Sequence, residues 1–431
     1  TREQEPRRDG ATVRLKGLWD ISDTLTGTFK LEHGRFNVEG RQTEVINDQP
    51  AGPKEDGTAA NPLFNGRTYG EIMSNSNFGI FNPIAGETAG LILNEAPAVL
   101  DHEADYNSAR QKDYSDNKTY NLTAQIDWSS GEQTYTFITG YMQYRYDEEC
   151  DCDYSGVDLF RLALQEEYSQ FSQEFRWLSP IGGEWEFIGG AYFQYSDLDF
   201  FDSILVESDV IVQAVNAADL TEGGARGDID PNPLAPPTST ETTGIGDAGS
   251  ALAGIRSPRY FDSEATVLSG FLQATWNFRE YLKFTFGGRY TYEHKTGARD
   301  LTFAFADGTI QPIGEVDTAA AISFAAERHD LKGERSEAQF SPLINVQWYV
   351  NEEIMMYSNL SQGFKAGGYD ARSNSSPEFN TVVANPNAAT PSTHRILPGS
   401  FEFEPEEATS FELGTKMGIL DGAGELNTAI F

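Results

Sequence analysis

The segment 147–153 reads DEECDCD and packs five carboxylates and two thiols into seven residues. Carboxylate oxygens suit a calcium-like ion, whereas thiolates suit a softer metal. The other interpretation is a solvated loop tip, with the thiols of Cys150 and Cys152 free or joined in a short-range bridge. No histidine or further cysteine lies near in sequence to complete a zinc set, so the loop tip is the favoured interpretation.

Other arrangements that carry chemistry are absent from the sequence or stand in the wrong context. The run GIGDAG at 244–249 has the spacing of a dinucleotide fingerprint, but it lies in a stretch rich in Gly, Pro, Ser and Thr. The five histidines form no HExxH pair, and no GxSxG nucleophile elbow occurs. The sequence therefore predicts no catalytic site, no metal and no cofactor, and we do not expect an enzyme.

The composition restricts the class of protein. The chain has 66 Asp and Glu against 31 Lys and Arg, a net charge of −35, which argues against a nucleic-acid partner. Aromatic residues make up 12% of the chain, which argues against general disorder. No stretch approaches the length of a transmembrane helix, about 18 apolar residues. A membrane β-barrel remains open, because it carries its apolar band in alternating positions.

The elements that must position any site are strands, because polarity alternates with a period of two. In 118–128 apolar side chains fall mainly on even positions and polar ones on odd positions, and 282–293 repeats the pattern. Most segments of this kind are longer than a usual globular strand of about 5–6 residues. About twelve are predicted, near 13–20, 24–36, 118–128, 133–146, 168–178, 184–196, 263–278, 281–294, 335–349, 354–367, 407–418 and 424–431.

The connections between these strands alternate between short and long, as do the periplasmic turns and extracellular loops of outer-membrane barrels. All six tryptophans stand within a few residues of a short turn, which indicates an aromatic belt at one membrane interface. The pattern predicts an all-β fold, an antiparallel transmembrane β-barrel segment. The long connections are expected at about 37–117, 147–167, 197–262, 295–334 and 368–406.

Two motifs carry a family resemblance. The segment 357–369 reads YSNLSQGFKAGGY, and a Pro-Glu at Pro405 precedes FELGTK at 411–416 and ELNTAIF at 425–431. In this order they resemble the barrel signature of TonB-dependent outer-membrane receptors. The hairpin pattern extends the resemblance over most of the chain.

The resemblance also implies what else such a protein contains. Family members carry an N-terminal plug and about 22 strands, whereas neither a plug nor more than about twelve strands is discernible here. We therefore expect residues 1–431 to be a partial β-barrel, without the plug domain and the C-terminal strands. The resemblance implies active uptake of a scarce nutrient across the outer membrane of a Gram-negative bacterium, with a ferric siderophore or another metal chelate as the commonest substrate.

The resemblance implies several partners and leaves one main rival open, besides a weaker one, a soluble all-β hydrolase with paired carboxylates. The partners are the TonB energy-coupling complex, acting through the absent N-terminal part, outer-membrane lipid and lipopolysaccharide, and a small ligand such as a ferric chelate. No nucleic acid is expected. The rival is a passive porin or a structural barrel, which would lack the plug and the energy coupling.

Candidate ligand-binding residues lie in the expected loops 197–262 and 368–406 and, for Lys365, at the end of the predicted strand 354–367 that leads into the second loop. The first loop holds twelve Asp or Glu and three arginines, and RSPRY at 256–260 forms a cationic and aromatic island. Arg binds anionic oxygens bidentately and Tyr adds rigid contact area. The alternative is that the arginines neutralise nearby carboxylates or bind lipopolysaccharide phosphates. The ligand-binding candidates are Arg256, Arg259, Tyr260, Lys365, Tyr369 and Arg372.

Alternation also predicts charged residues that face the barrel lumen. If Leu282, Phe284 and Tyr290 face lipid, the intervening side chains face inward. Contact with a plug or with a substrate in transit is one interpretation, and a solvated or salt-bridged wall is the other. The predicted lumen-facing residues are Lys283, Arg289 and Glu293.

Overall fold

The computed structural model describes most of the residues that form strands. No helix among the described residues is long and apolar enough to cross a membrane. The described residues are 7–40, 113–151, 160–206, 252, 254–314, 316–317, 320–321, 326–379, 382–385, 392–395, 398–419 and 423–431.

Long antiparallel strands dominate the described residues, and twelve of them form one sheet with each strand paired to its neighbours. They are β1 (Arg7–Ser22), β2 (Leu25–Glu39), β3 (Tyr114–Ser130), β4 (Gln133–Asp151), β5 (Phe160–Leu178), β6 (Trp185–Val206), β7 (Ile255–Arg279), β8 (Leu282–Leu301), β10 (His329–Tyr349), β11 (Ile354–Lys365), β16 (Glu406–Ile419) and β17 (Gly424–Ile430). The short strands are β9 (Ala304–Phe305), β12 (Gly368–Tyr369), β13 (Val382–Asn385), β14 (Ser392–Arg395) and β15 (Glu402–Phe403).

The predicted all-β, antiparallel architecture and each of the twelve predicted long segments are confirmed. Consecutive long strands pair as hairpins, in the order β1-β2-β3-β4-β5-β6-β7-β8-β10-β11-β16-β17. One short turn holds Gly131 at a φ of 63°, a conformation that other residues rarely adopt. In the described part of the chain β1 pairs with β2 alone and β17 with β16 alone.

The strands extend further on the long-loop side than the sequence pattern indicated. β6 continues to Val206 and β7 begins at Ile255, so Arg256, Arg259 and Tyr260 lie in a strand, and the expectation of a loop over the whole of 197–262 was wrong at both ends. Near the strand ends, side chains on both faces include charged residues, such as Asp199 and Asp202 of β6. The contrast between faces that marks a half-buried strand is therefore weak there.

The register groups the side chains on two faces as the alternation predicted, because residues directly opposite in a ladder share a face. Phe284 pairs with Trp276, and Phe286 with Ala274, on one face, whereas Thr285 pairs with Thr275 on the other. We call these the apolar face and the polar face. The apolar face includes Leu122, Ile126, Leu282, Phe284, Phe286 and Tyr290, and the polar face includes Thr123, Asp127, Lys283, Arg289 and Glu293.

The two faces differ in what their side chains contact. On the polar face, Asp127 accepts hydrogen bonds from the Thr136 hydroxyl and from the Gln125 amide, each at 2.7 Å. On the apolar face large side chains such as Phe286 and Tyr290 are about half exposed, at 46% and 55%. An exposed apolar band on every strand fits a hydrocarbon environment rather than water.

The tryptophans form a single belt on the apolar face, as the sequence predicted. Trp185 lies opposite Trp276 with ring centroids 5.6 Å apart, and Trp276 lies opposite Phe284 in the next strand. Trp128 stacks on Tyr135 at 5.1 Å across the β3–β4 hairpin. All six stand at the short-turn end of the strands, where amphipathic rings suit a membrane interface.

The assignment of residues to the two faces predicts how an added charge changes the free energy of unfolding at two nearby positions of β3. We expect Leu122→Lys, on the apolar face between Leu31 and Tyr141, to lower the free energy of unfolding in lipid vesicles by about 2–4 kcal/mol. The matched control Gln125→Lys lies on the polar face near Asp127 and should change it by less than about 1 kcal/mol. Urea unfolding followed by tryptophan fluorescence measures both. Equal losses in the two variants would contradict the assignment.

Candidate ligand-binding site

A chain segment folds onto the polar face at the long-loop end of β5 to β10. We call residues 366–376 the strap. Its Tyr369 packs in a buried cluster with four residues, of which Leu164, Phe200 and Phe261 belong to the polar face of β5, β6 and β7, and the fourth is Phe401. The strap therefore covers the long-loop end of the polar face.

Two glycines form the seat of the Tyr369 ring. Gly297 of β8 lies directly opposite Gly333 of β10 on the polar face. A Cβ atom at either position would collide with the Tyr369 ring. The absence of two neighbouring side chains thus lets the strap approach the sheet closely, which is a common reason for glycine inside a strand.

Arg299 of β8 holds the strap from beneath and is fully buried, at 0% exposure. Its Nη1 donates to the backbone oxygen of Asp370 at 2.6 Å, its Nη2 to that of Ser375 at 3.1 Å, and its Nε to His329 Nε2 at 3.0 Å. The guanidinium also lies 5.3 Å from the centroid of the Phe401 ring. Burial lowers the pKa of Arg299 to about 10, still far above neutral pH, so the side chain stays charged.

Arg259 of β7 is a second buried anchor. It forms a bidentate ion pair with Asp202, directly opposite in β6, with Nε–Oδ1 at 3.0 Å and Nη2–Oδ2 at 2.6 Å. Its Nη1 donates to the Asn374 side chain at 3.0 Å and to the backbone oxygen of Arg372. Because every nitrogen of this guanidinium has an acceptor, Arg259 is positioned to hold the strap.

Two further basic side chains bind backbone oxygens, one in the strap and one in β15. Lys295 Nζ donates to the Gly367 oxygen at 2.9 Å, and Arg335 Nη1 donates to the Phe403 oxygen at 2.7 Å. β12 and β15 pair directly, with Tyr369 opposite Glu402. The strap is thus joined to the wall by basic side chains that bind backbone carbonyl groups, an arrangement that fixes its path closely.

The ligand-binding candidates fall into different environments. Arg259 and Tyr369 are buried in the strap contacts described above, whereas Tyr260 is 56% exposed on the apolar face. Lys365 is exposed beside Glu406, with its Nζ 3.8 Å from the carboxylate, and the exposed Arg372 lies 5.3 Å from the Phe200 ring centroid. The structure brings Arg259, Tyr369 and Arg372 together, and their role in ligand binding stays a prediction.

Arg256 has a different environment from Arg259. It lines a cavity beside β7, and its Nε is buried without a hydrogen-bond partner. Sequence reasoning singled out both arginines because of their type, but it could not distinguish the paired side chain from the unpaired one.

The predicted lumen-facing residues lie on the polar face with partners of their own. Arg289 lies over the rings of Tyr192 and Phe271, at 5.5 and 5.8 Å, and Glu293 pairs with Lys295 at 2.8 Å. Lys283 Nζ lies 5.9 Å from the Tyr349 ring centroid. Contact of these residues with a plug or a substrate stays a prediction.

Sequence reasoning missed the residues that anchor the strap. The alternation of β8 continues beyond the predicted segment 281–294 and places Arg299 on the polar face, so that continuation was an available signal. Asp202 opposite Arg259, and the pair Gly297 and Gly333, depend on strand register, which local sequence does not give. The missed anchoring residues are Asp202, Gly297, Arg299, His329 and Gly333.

The acidic segment 147–153 is described only in part. Cys150 is buried and disulfide-bonded, and the Asp147 carboxylate accepts a hydrogen bond from the Tyr114 hydroxyl at 3.4 Å. Across the described ranges, no group of three or more His, Cys, Asp or Glu is arranged to hold a metal ion. The glycine run 244–249 lies outside the described residues.

A sheet of long antiparallel strands with an exposed apolar face, one aromatic belt and a segment folded over its polar face defines an outer-membrane β-barrel protein. The family described as TonB dependent receptor-like, beta-barrel, matches residues 52–431. The chain belongs to this family, which confirms the resemblance.

Solved structures share the fold at low identity. The siderophore receptor PiuA from Acinetobacter baumannii is 13% identical with a TM-score of 0.52, over 98% of this chain and 49% of that one. The ferric yersiniabactin uptake receptor FyuA from Yersinia pestis is 12% identical with a TM-score of 0.50, over 98% of this chain and 44% of that receptor. This chain spans less than half the length of either receptor. No curated protein sequence matches it.

Replacement of Arg299 tests the anchoring of the strap. We expect Arg299→Met to speed backbone amide hydrogen exchange across residues 367–376 by about 100-fold, because two strap carbonyls lose a charged donor. Mass spectrometry of the protein in lipid nanodiscs measures this. The control Arg289→Met removes another polar-face arginine, one that contacts aromatic rings of the wall. Unchanged hydrogen exchange in Arg299→Met would show that Arg299 does not anchor the strap.

The same anchor should weaken in acid. His329 Nε2 accepts from Arg299, and its Nδ1 lies 2.7 Å from the Glu327 oxygen, which requires a neutral ring. Burial lowers the pKa of His329 below its ordinary 6.5, although the Glu327 carbonyl opposes this, and the charges of Arg299 and Arg259 lower it further. The stabilisation is therefore complete above pH 6.5 and lost as the pH falls below it.

Hydrogen exchange of the strap, corrected for intrinsic rates, should accordingly rise between pH 6.5 and pH 5. His329→Gln should abolish that pH dependence. His294→Gln, which changes a partly exposed histidine near Ser336 on the apolar face, should retain the pH dependence. A strap whose corrected exchange is the same at both pH values would contradict this assignment.

Proposed function

We propose that this chain is the barrel part of a receptor in the outer membrane of a Gram-negative bacterium, and that the receptor takes up a metal chelate such as a ferric siderophore. The TonB energy-coupling complex would supply the energy through parts of the receptor outside this chain. Membership of the receptor family is the observation that carries the proposal. The fold it shares with the siderophore receptor PiuA and the ferric yersiniabactin uptake receptor FyuA supports it.

The charge distribution supports an anionic ligand. Around the strap, Lys365 and Arg372 are exposed cations within a protein of net charge −35. Positive side chains on a negatively charged protein favour an anionic ligand that contacts them directly. The negative potential of the rest of the protein repels other anions. We propose that Lys365 and Arg372 contact the chelate first, and that Arg259 and Tyr369 hold the strap on which Arg372 lies.

Tyr260 and lipopolysaccharide form a separate part of the proposal. Tyr260 stands on the apolar face beside Phe201, with ring centroids 4.9 Å apart, well above the tryptophan belt. An exposed tyrosine packed on a phenylalanine at that height suits contact with lipopolysaccharide at the outer interface. In that case Tyr260 acts in membrane anchoring rather than in ligand capture.

Uptake measurements test the function. Cells that express the full-length receptor should accumulate radioactive iron from a catecholate, hydroxamate or citrate chelate, and a protonophore should abolish the accumulation. A passive porin would continue to admit the chelate after the proton gradient has collapsed. Energy-independent accumulation would therefore overturn the proposal in favour of a porin.

Binding measurements test the residues. For whichever chelate is taken up, Lys365→Ala with Arg372→Ala should weaken binding by about tenfold or more, since each removes a charge-assisted contact. The control Lys332→Ala changes an exposed cation that pairs with Asp330 on the apolar face and should bind normally. If the double variant binds as tightly as the control, these residues do not contact the ligand.

A further inference from the structure

Three basic side chains lie next to one another on the apolar face of β2, β3 and β4. Arg35 stands directly opposite Lys118, and Lys118 directly opposite Arg145. The three side chains are 58%, 45% and 61% exposed, respectively. Like charges directly opposite each other in adjacent strands destabilise a sheet, so this arrangement needs anions to offset the repulsion. We call these three residues the basic row.

The wall supplies the basic row with fewer carboxylates than it has cations. The Asp116 carboxylate is shared, with one oxygen 3.3 Å from Arg35 Nε and the other 3.0 Å from Lys118 Nζ. Arg145 pairs with Glu167 at 2.8 Å. In the described part of the chain, three exposed cations therefore share two carboxylates. Exposed pairs of this kind contribute little to stability, so an incoming phosphate can bind beside them without disturbing buried structure.

The basic row lies at the edge of the apolar band that is remote from the tryptophan belt. Lys118 is ten residues from Trp128 along β3. At about 3.4 Å per residue and a strand tilt of about 40°, this separation is about 26 Å in height, close to the apolar band of about 25 Å in such barrels. Leu122 lies between them, and the Tyr120 ring stacks on His33 with centroids 4.4 Å apart. The cations therefore stand where the lipid head groups on the long-loop side of the membrane begin.

Other strands carry the opposite charge near this height. On β6 and β7, Asp197 lies opposite Glu264, and each is twelve residues from the tryptophan of its own strand. On β3 and β4, the carboxylates of Asp116 and Asp147 stand two residues further from the belt than the basic row. An anionic head group at the membrane surface is therefore repelled along β6 and β7 and attracted to β2, β3 and β4.

Charge and position together match a lipid with a phosphorylated head group. Guanidinium groups bind phosphate oxygens bidentately, and an ammonium group adds a point charge. We propose that the basic row binds the phosphate groups of lipopolysaccharide, whose acyl chains then lie against apolar side chains such as Leu122 and Tyr141. The inference rests on the proposed location in the outer membrane, whose outward-facing layer consists of this lipid, and not on the proposed uptake of a chelate.

The test is equilibrium binding of radioactive lipopolysaccharide to the full-length receptor in detergent, with EDTA present to remove divalent cations. Saturable binding is expected, because the basic row contacts phosphate directly. Lipopolysaccharide treated with a phosphatase should bind about tenfold more weakly or worse. Loss of binding in EDTA would mean that divalent ions join the phosphates to carboxylates, and it would overturn the proposal.

Variants of the basic row locate the site. Each of Arg35→Gln, Lys118→Gln and Arg145→Gln should weaken binding by about fivefold, and the triple variant by about 100-fold, since each removes one charge at the membrane surface. Lys118→Arg keeps the charge and should bind normally. In the triple variant, removal of the phosphates should make little further difference, because the two changes abolish the same contact.

A matched control removes three charges from the other face of the wall. These residues lie on the polar face of β1 and β2, so their loss changes the net charge equally but should leave lipopolysaccharide binding as it is: Arg14→Gln, Lys16→Gln and Lys30→Gln. Strap hydrogen exchange checks that both triple variants are folded. Equal binding by the two triple variants would refute the site.

Competition separates lipopolysaccharide from other anionic lipids. Phosphatidylglycerol carries a phosphate diester and should compete weakly, whereas unlabelled lipopolysaccharide should compete fully. Phosphatidylglycerol that competes as well as lipopolysaccharide would overturn the assignment of the lipid. A receptor that binds lipopolysaccharide through the basic row but takes up no chelate would contradict the proposed uptake alone, so the two failures are distinguishable.

Discussion

The alternation of side chains across a sheet in contact with lipid is the constraint on which the rest of this structure depends. Every backbone group within hydrocarbon must be paired with a neighbouring strand, so the strands are long and the ladders continuous. Alternate side chains must then be apolar, because one face meets lipid. Register shifts at Asp20/Ser22 and Asn277/Arg279 lie beside turns, where they do not invert the faces of the strands beyond.

The polar face must satisfy its charges by other means, and it does so differently along its length. Near the membrane, Arg289 lies between aromatic rings and Glu293 pairs with Lys295. Beyond the membrane, the strap supplies backbone carbonyls to Arg259 and Arg299. Among the residues that the structure describes, the carboxylate that pairs with Arg299 is that of Asp370, and at 3.9 Å it is too far away for a hydrogen bond. Its burial is therefore tolerable only while the strap is in place, and the strap in turn needs the donors.

The period-two pattern was sufficient to predict the strands, their faces and the tryptophan belt, because lipid imposes that pattern on every strand. It did not predict how far the strands continue beyond the membrane, where water or the strap replaces lipid and the contrast between faces fades. The seat of Tyr369 could not be predicted either. Gly297 and Gly333 are far apart in sequence, and only the register of β8 with β10 shows that they meet.

Register also separates the two arginines that the sequence treats alike. Arg259 lies opposite Asp202, so its charge is neutralised within the wall and its remaining donor reaches the strap. Arg256 lies opposite Leu205, and no ladder neighbour offers it an anion. A strand that carries two arginines three residues apart directs them to opposite faces, because the separation is odd. The cross-strand neighbour thus determines which of the two arginines is neutralised within the wall and joined to the strap.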